Sequence, residues 1–293
     1  RNIEKDIAEV RRGAADVMAL AGAFKSPLPP ARLEAIEIRS PGQVHSYPEA
    51  VLNYMFLNVR RPPLDDVRVR RAINYATDRA RILELEAGSR IASVTCQILP
   101  SSFPGYAPYC PYTMRPGTGR AWSAPDIVKA RALVNESGTR GERIVVTVPE
   151  FQRDIGRYFR GLLDRLGYRA SLRVLGGSYF GAVFEPGSQM QMGFNGWSMD
   201  YASPSTFIEP TFGCVNFLSH LCDRRLMRKV ERARAAHGAD SSNRWAAIDR
   251  YVTDLAPAVP LTNRRSTDLV SARVGNVQHH MQVGTLLDQL WVR

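Results

Sequence analysis

The sequence predicts a mixed α/β protein built around a parallel sheet, and three observations support this fold class. Hydrophobic residues make up 44% and charged residues 23% of the 293 residues, which is ordinary for a globular protein. No apolar run approaches the ~18 residues that a membrane-spanning helix needs. Residues 143–149 and 169–175 have the pattern of strands on either side of an amphipathic helix at 153–166. Strand–helix–strand is the usual unit of a parallel sheet.

The N-terminal part of the chain alternates between helices and strands. Apolar residues at helical spacing predict a first helix at 3–12. A short buried strand is expected next at 14–20, and a second helix is expected to begin within 29–33. Residues 43–59 contain aromatic and branched side chains that favour strands, so they predict an extended segment.

One long helix is predicted at 64–86, with Asp65 and Asp66 near its positive end. A proline-rich loop region follows at 93–119. The next helix is predicted at 123–135, because a proline falls in its first turn. The later predicted elements are a helix at 179–184, a strand at 190–197, helices at 223–236 and 241–255, and strands at 258–262 and 268–274.

The formal charge of +11 and the pI of about 9.9 raise the hypothesis of a nucleic-acid partner. Only four of the 39 basic residues are lysines, and a GC-rich coding sequence gives such an excess of arginine without any functional demand. No basic block alternates with aromatic residues, as a surface that binds single strands requires. We therefore interpret the charge as a solvated surface and expect no nucleic-acid partner. Nucleic-acid binding is a minor alternative, which the salt dependence of affinity tests.

The four cysteines form two local pairs, Cys96 with Cys110 and Cys214 with Cys222. A disulfide that closes a loop of about 15 residues is worth about 3 kcal/mol in the chain-entropy model. The C-x-x-C doublet of many zinc sites does not occur, and a catalytic thiol has no supporting sequence context. Two disulfides are therefore favoured, and they indicate an oxidising, extracytoplasmic compartment. Because the chain starts with Arg1 and shows no signal peptide, we expect a processed chain or a piece of a longer one.

The sequence contains no catalytic motif. The five histidines form no H-E-x-x-H pair and no Cys/His ligand set, so neither a metal nor a cofactor is predicted. The nucleophile elbow, the Walker loop and the dinucleotide-binding glycine pattern are also missing from the sequence. We therefore expect a protein that is not an enzyme. An enzyme on the same scaffold is an alternative that no residue cluster supports.

Residues 195–204 have the pattern of a ligand site. This segment leaves a predicted strand and places Asp200 between two large aromatic residues, Trp197 and Tyr201. A carboxylate accepts charge-assisted hydrogen bonds from a cationic ligand group, and aromatic rings supply stacking and desolvating walls. The alternative is that Trp197 is a core residue and that Asp200 forms an Asx turn. Composition alone favours that alternative.

Five segments, in order along the chain, carry a family resemblance. The longest is the run PLDDVRVRRAINYATDR at 63–79, and the others lie at 125–138, 163–168, 196–207 and 259–261. The arginine-rich helix motif and the W-x-x-D-Y segment are fairly specific, and their joint occurrence is more so. Together these segments resemble the extracellular solute-binding proteins of family 5, which are the peptide- and nickel-binding components of ABC importers. The arginine-rich motif is interpreted as a structural signature.

The resemblance implies an α/β fold, the type II clamp of periplasmic binding proteins, in which the ligand lies between two lobes. Residues 58–255 would form a complete second lobe. Residues 1–57 would be a remnant of the first lobe plus a hinge strand, and residues 256–293 would return to that lobe. Only the end segments of the first lobe would thus be present, and its N-terminal part would be missing.

The resemblance also implies a function and a site. In peptide-binding members, an acid at the position of Asp200 pairs with the α-amino group of the peptide, and Trp197 and Tyr201 would be neighbouring wall residues. We therefore expect binding of a solute, an oligopeptide, for an ABC importer, by cleft binding and lobe closure rather than by catalysis.

The implied partners are the solute and a membrane permease, and the protein is expected to be a monomer. It would act outside the cytoplasm, at the cell surface or in the periplasm, and would be anchored to the membrane as a lipoprotein in its full-length form. The alternative hypothesis is the ligand-sensing C-terminal domain of a larger, membrane-tethered regulatory protein.

Overall fold

The structure, a computed structural model, describes residues 3–21, 28–86, 88–116, 121–185, 187–215 and 218–293. Its helices are α1 (Ile3–Arg11), α2 (Pro30–Arg39), α3 (Val67–Ala76), α4 (Arg79–Leu85), α5 (Ile127–Ser137), α6 (Arg153–Leu166), α7 (Tyr179–Phe184), α8 (Ser205–Phe212), α9 (Arg224–Arg234) and α10 (Gly238–Leu255). Its strands are β1 (Val17–Ala21), β2 (Val44–Leu57), β3 (Ala92–Val94), β4 (Arg143–Pro149), β5 (Arg169–Leu175), β6 (Met192–Ser198), β7 (Ala258–Val270), β8 (Val274–Gly275), β9 (His279–His280), β10 (Gly284–Thr285) and β11 (Trp291–Val292). Residues 117–119 of the predicted loop region lie outside the described residues.

These elements form two compact units. The larger unit consists of Leu52–Ile82 and Val94–Thr262. The smaller unit consists of Arg1–Val51, Leu83–Ser93 and Asn263–Arg293. The chain passes between the two units within β2, α4, β3 and β7. Each unit is therefore assembled from segments that are distant in sequence.

Parallel strands form the centre of the larger unit. β4 lies between β5 and β6 and pairs in parallel with both, and β2 is the next neighbour of β6. Val146 of β4 lies opposite Leu172 of β5 and Met192 of β6. The predicted strands at 143–149 and 169–175 and the helix between them are confirmed. Their patterns are clear because β4 and α6 bury apolar side chains, and β5 alternates exposed polar residues with half-buried apolar ones.

Helix α6 covers one face of this sheet with a stripe of buried apolar side chains. Gly156 is needed at the contact, because a Cβ there would lie 2.6 Å from Cγ2 of Val148 and 2.7 Å from Cδ1 of Leu172. Gly167 ends the helix with a φ of 98°, a left-handed conformation that glycine adopts without steric cost. The buried stripe consists of Ile155, Phe159, Leu162, Leu163 and Leu166.

The single helix predicted at 64–86 is wrong, since the structure divides it into α3 and α4. The Thr77 hydroxyl donates to the Ile73 carbonyl at 2.7 Å, at the end of α3. The Asp78 carboxylate accepts the backbone N–H of Arg81 at 3.1 Å and thereby caps the first turn of α4. These two short polar side chains satisfy backbone groups that a continuous helix would have paired, so the break is stable.

Two predictions near the C-terminus are also corrected. The strands predicted at 258–262 and 268–274 are one strand of 13 residues, β7, because its middle residues pair with the sheet as well. The helix predicted at 241–255 begins earlier, at Gly238. Helix α8 was not predicted.

Arginines of the signature segment hold backbone carbonyl groups inside the larger unit. Arg79 is fully buried and donates to the carbonyl oxygens of Thr95 and Pro260, each at 3.0 Å. Arg70 donates to the carbonyl oxygens of Leu255 and Ala256. Burial lowers the pKa of Arg79 to about 10, so the guanidinium is still charged at neutral pH. The motif therefore has a structural role, joining α3 and α4 to the start of β7.

Both predicted cysteine pairs form disulfides, Cys96–Cys110 and Cys214–Cys222. The first closes a loop whose start is held by the fully buried Asp249 of α10.

The buried carboxylate of Asp249 accepts Gln97 Nε2 at 2.6 Å and the backbone N–H of Ile98 at 2.9 Å. The backbone N–H of Leu99 also donates to it, at 3.3 Å. Burial raises the pKa of Asp249 to about 6. The loop is therefore fixed by one covalent and several polar contacts.

In the smaller unit, β1 pairs antiparallel with the second half of β7, with Val17 opposite Val270. Its core draws on α1, β1, α2 and β7, so segments from both ends of the sequence share it. Its buried apolar residues include Ile7, Val10, Met18, Leu20, Leu33, Ile36, Ile91 and Leu269.

Candidate ligand-binding site

The predicted site segment lies where the parallel strands end. Because β4 runs parallel to both β5 and β6, the carboxyl ends of the three strands meet at one edge of the sheet. Ligands of open α/β sheets bind in the crevice outside these carboxyl ends. Trp197 is the next-to-last residue of β6, and Asp200 and Tyr201 come shortly after the strand ends. We call this side of the sheet the carboxyl edge.

Asp200 is exposed and is held by the first turn of α8. Its backbone N–H donates to the Thr206 hydroxyl, with 2.9 Å between nitrogen and Oγ1. The Thr206 hydroxyl donates in turn to Oδ2 of Asp200 across 3.4 Å. An anionic group near the N-terminus of a helix is also favoured by the helix dipole. The site therefore presents a carboxylate whose backbone position is fixed.

The two aromatic residues are held in different ways. Tyr201 is 45% exposed, and its hydroxyl accepts a hydrogen bond from Oγ of Ser205 at 3.1 Å. Trp197 is half-buried, so it is not a fully buried core residue. Its indole nitrogen is shielded from solvent and has no hydrogen-bond partner among the described residues. An indole N–H is a donor only, so this group is buried without an acceptor among those residues.

Strand β2 closes the base of this site. Asn195 of β6 donates from Nδ2 to the Tyr54 hydroxyl at 2.8 Å, and both side chains are buried. Burial raises the pKa of Tyr54, so its hydroxyl stays protonated. A Cβ on Gly196 would lie 3.0 Å from Oδ1 of Asn53, so the absence of a side chain lets the two strands approach closely. The strand end that supports Trp197 is therefore tightly packed.

Sequence reasoning missed three exposed phenylalanines that we name the aromatic cluster: Phe151, Phe180 and Phe184. Phe151 lies just beyond β4 and is 69% exposed, and the other two lie on α7 and are 42% exposed. The ring centroid of Phe180 lies 6.5 Å from those of both Phe151 and Phe184. Phe151 also contacts the buried Phe194 of β6 edge to face, with centroids 6.3 Å apart.

Contiguous exposed aromatic rings indicate an interaction surface. The position of Phe151 beyond the end of β4 puts this surface at the carboxyl edge. A phenylalanine directly after a clear strand, and two more at i and i+4 in a short helix, were the available signals in the sequence.

The described residues contain no group of three or more His, Cys, Asp or Glu side chains that could hold a metal ion. Within the same residues, no helix combines the length and the hydropathy that crossing a bilayer requires. The chemistry of the carboxyl edge thus includes the exposed carboxylate of Asp200, a half-buried indole ring and several exposed aromatic surfaces.

Comparison with known proteins identifies the family. The family model described as "Bacterial extracellular solute-binding proteins, family 5 Middle" matches residues 7–219. The chain belongs to this family. The resemblance of the signature segments is therefore confirmed, and the family and fold point to a binding protein rather than to an enzyme.

Curated relatives of this family 5 protein include a "Probable di/tripeptide-binding protein 5" of Pseudomonas aeruginosa, which is 27% identical over 80% of the chain and 45% of the relative. The glutathione-binding protein GsiB of Escherichia coli strain K12 is 21% identical over 93% of the chain and 53% of its own length. The chain thus spans about half the length of the curated relatives it matches.

A solved structure supports the fold of this family 5 protein. The ABC transporter substrate-binding protein CtaP of Listeria monocytogenes superimposes with a TM-score of 0.80 at 18% identity, over 99% of the chain and 58% of CtaP. The predicted fold class, the α/β type II fold of periplasmic binding proteins, is confirmed.

Proposed function

We propose that this family 5 protein binds short peptides through their α-amino group at the carboxyl edge. The observation that carries the proposal is the exposed Asp200 carboxylate, held at that edge by Thr206, in a chain of this family. A protonated amine donates charge-assisted hydrogen bonds to a carboxylate, which are about twice as strong as neutral ones. The relatives named for di- or tripeptides and for glutathione, itself a tripeptide, support a short ligand.

The other groups of the edge fit the remainder of a short peptide. The half-buried ring of Trp197 and the exposed ring of Tyr201 flank the amine. The aromatic cluster offers apolar surface to a ligand side chain. One ion pair together with contacts to the peptide backbone gives binding that tolerates different side chains. Closure over the ligand is driven by the difference in affinity between open and closed states.

The biological setting proposed here follows from the family. The protein delivers its ligand to an ABC permease, acts as a monomer outside the cytoplasm and is anchored to the membrane in its full-length form. Two disulfides in a chain of this size support an oxidising compartment.

A thermal-shift titration tests the proposal. Di- and tripeptides, free or N-acetylated, are added to the wild-type chain and to the variants Asp200→Asn and Asp240→Asn. Asp240 is a matched control, because it is an exposed carboxylate on α10 and its removal changes the net charge equally. A ligand at 100 times its Kd adds about 2.7 kcal/mol of stability.

We expect free-amine peptides to stabilise the wild type and D240N, and to stabilise D200N much less. Acetylated peptides that stabilise the wild type equally well would contradict the assignment of Asp200 as the amine partner. If no peptide stabilises any variant, the proposed ligand class is wrong.

A further inference from the structure

A cationic cavity lies at the edge of the sheet opposite the carboxyl edge, where β6 begins. The backbone N–H of Asn58, just after β2, donates to the carbonyl of Gln191, just before β6, at 2.8 Å. The cavity beside this contact has a volume of about 570 Å³. Its lining includes Asn58, Arg60, Arg61, Ser188, Cys214 and His220. None of these residues belongs to the proposed peptide site.

The walls of this cavity are fixed by hydrogen bonds. Asn58 donates from Nδ2 to the carbonyl of Met190 at 3.0 Å, and its Oδ1 accepts the backbone N–H of Arg60 at 3.1 Å. The backbone N–H of Val59 donates to the carbonyl of Ser219 at 2.8 Å. The turn that carries the two arginines is therefore tied to both neighbouring segments.

The charges in the cavity are all of one sign. Arg60 and Arg61 line it together with His220, and no Asp or Glu contributes to its lining among the described residues. Among the described residues, the guanidinium groups of Arg60 and Arg61 form no ion pair. Arg153, Arg157 and Arg244, by contrast, each pair with an acid. Burial, and then the positive charges of Arg60 and Arg61, lower the pKa of His220. The His220 ring is therefore mostly neutral at neutral pH, and the positive charge of the cavity comes from Arg60 and Arg61.

His220 is held in an unusual backbone conformation. Its φ of 53° lies in the left-handed region, which residues other than glycine seldom adopt, and histidine is among those enriched there. On one side of it, the carbonyl of Ser219 accepts the backbone N–H of Val59. On the other side, Cys222 is joined to Cys214 by a disulfide. Conformations of this kind persist where the surrounding structure imposes them, and they cluster at ligand sites.

We propose that this cavity binds a phosphate group, either free phosphate or the phosphate of a lipid headgroup, between Arg60 and Arg61. Planar guanidinium groups match the geometry of phosphate oxygens, because each presents paired N–H donors in a fixed fork. The volume accommodates phosphate together with bound water. Two positive charges that have no acidic partner among the described residues favour an anion there over water alone.

Calorimetry with the whole chain and inorganic phosphate tests the site, and co-sedimentation with vesicles distinguishes the two sources. The vesicles contain either phosphatidylcholine alone or phosphatidylcholine mixed with anionic phosphatidylglycerol in a ratio of about 3:1. Both are used at roughly physiological salt. The test variant is Arg60→Gln with Arg61→Gln. The matched control is Arg39→Gln with Arg232→Gln, which removes the same charge from two exposed positions outside the cavity.

We expect one phosphate per chain, bound at least tenfold more weakly by R60Q/R61Q and equally well by R39Q/R232Q. Sedimentation with the anionic vesicles alone, lost in R60Q/R61Q and kept in R39Q/R232Q, identifies the lipid headgroup as the source. The single variant R60Q, whose side chain is exposed, serves if the double variant fails to fold. The proposal is overturned if neither probe binds, or if the two double variants lose binding to the same extent.

Discussion

The Thr206 hydroxyl accepts the backbone N–H of Asp200 at 2.9 Å and donates to the carboxylate of the same residue across 3.4 Å. Thr206 is fully buried, whereas Asp200 is exposed. One buried hydroxyl thus links the start of α8 to the residue that we propose as the amine partner. A side chain fixed before binding loses less conformational entropy when the ligand arrives.

Removing that hydroxyl should weaken peptide binding. We expect Thr206→Val to reduce the affinity for a free-amine dipeptide about fivefold, which corresponds to one hydrogen bond of about 1 kcal/mol. Thr206→Ser keeps the hydroxyl and should bind as the wild type does. Isothermal titration calorimetry measures both affinities. Equal binding by the Val and Ser variants would show that Thr206 does not position Asp200.

The aromatic cluster should contribute to the binding of apolar ligand side chains. We expect Phe151→Ala to weaken binding of Ala-Leu about tenfold, equivalent to about 1.4 kcal/mol of lost apolar burial, and to leave Ala-Gly nearly unchanged. Val128→Ala is the control, because Val128 is 82% exposed on α5. The same titrations provide the measurement. An equal loss for both dipeptides would assign Phe151 a structural role instead.

Asp249 should make stability depend on pH. Burial raises the pKa of Asp249 to about 6, above the ordinary value of about 3.9 expected in the unfolded chain. The folded state therefore holds the proton more tightly. The contribution of Asp249 to the free energy of unfolding is fully present below about pH 4. It is lost as the pH rises through about 6, and the loss is up to about 3 kcal/mol.

Denaturant unfolding of the wild type and of Asp249→Asn at pH 4, 5, 6 and 7 measures this contribution. The free energy of unfolding of the wild type, relative to that of D249N, should fall over this range. A relative stability that is constant or rises with pH would contradict the assignment.

The disulfide Cys96–Cys110 should stabilise the larger unit through the unfolded state. Its cysteines are 14 residues apart, so replacing both by alanine should lower the free energy of unfolding by about 3 kcal/mol. Peptide affinity per folded molecule should change little, because the loop is not part of the carboxyl edge. Urea unfolding measures the free energy of unfolding, and calorimetry measures the affinity for the peptide. Unchanged stability would mean that the contacts of Asp249 alone fix this loop.

The sequence predicts the centre of the fold well and the broken elements poorly. The β4–α6–β5 unit has clear boundaries, because its alternating and helical apolar patterns match its burial and Gly167 marks the helix end. Thr77 and Asp78 break the helix predicted at 64–86 by pairing with local backbone groups, which apolar periodicity does not register. Helix α8 was missed because Pro204 caps it and Pro210 lies inside it.

The candidate site is only partly visible in the sequence. Asp200, Trp197 and Tyr201 are adjacent in the chain, so the pattern of acid and aromatic residues marks them. The aromatic cluster comes from the end of β4 and from α7, and only the parallel pairing places Phe151 at the carboxyl edge. The hydrogen bonds between Thr206 and Asp200 likewise depend on α8, which the sequence did not predict.

The most direct measurement of the central claim is a cycle of four affinities. Calorimetry gives the Kd of Ala-Leu and of N-acetyl-Ala-Leu for the wild type and for Asp200→Asn. If Asp200 binds the α-amino group, acetylation should weaken binding to the wild type at least tenfold and binding to D200N by less than about twofold, a coupling of about 1 kcal/mol or more. If acetylation weakens binding to both proteins by the same factor, Asp200 and the amine act independently, and the account of this site is wrong.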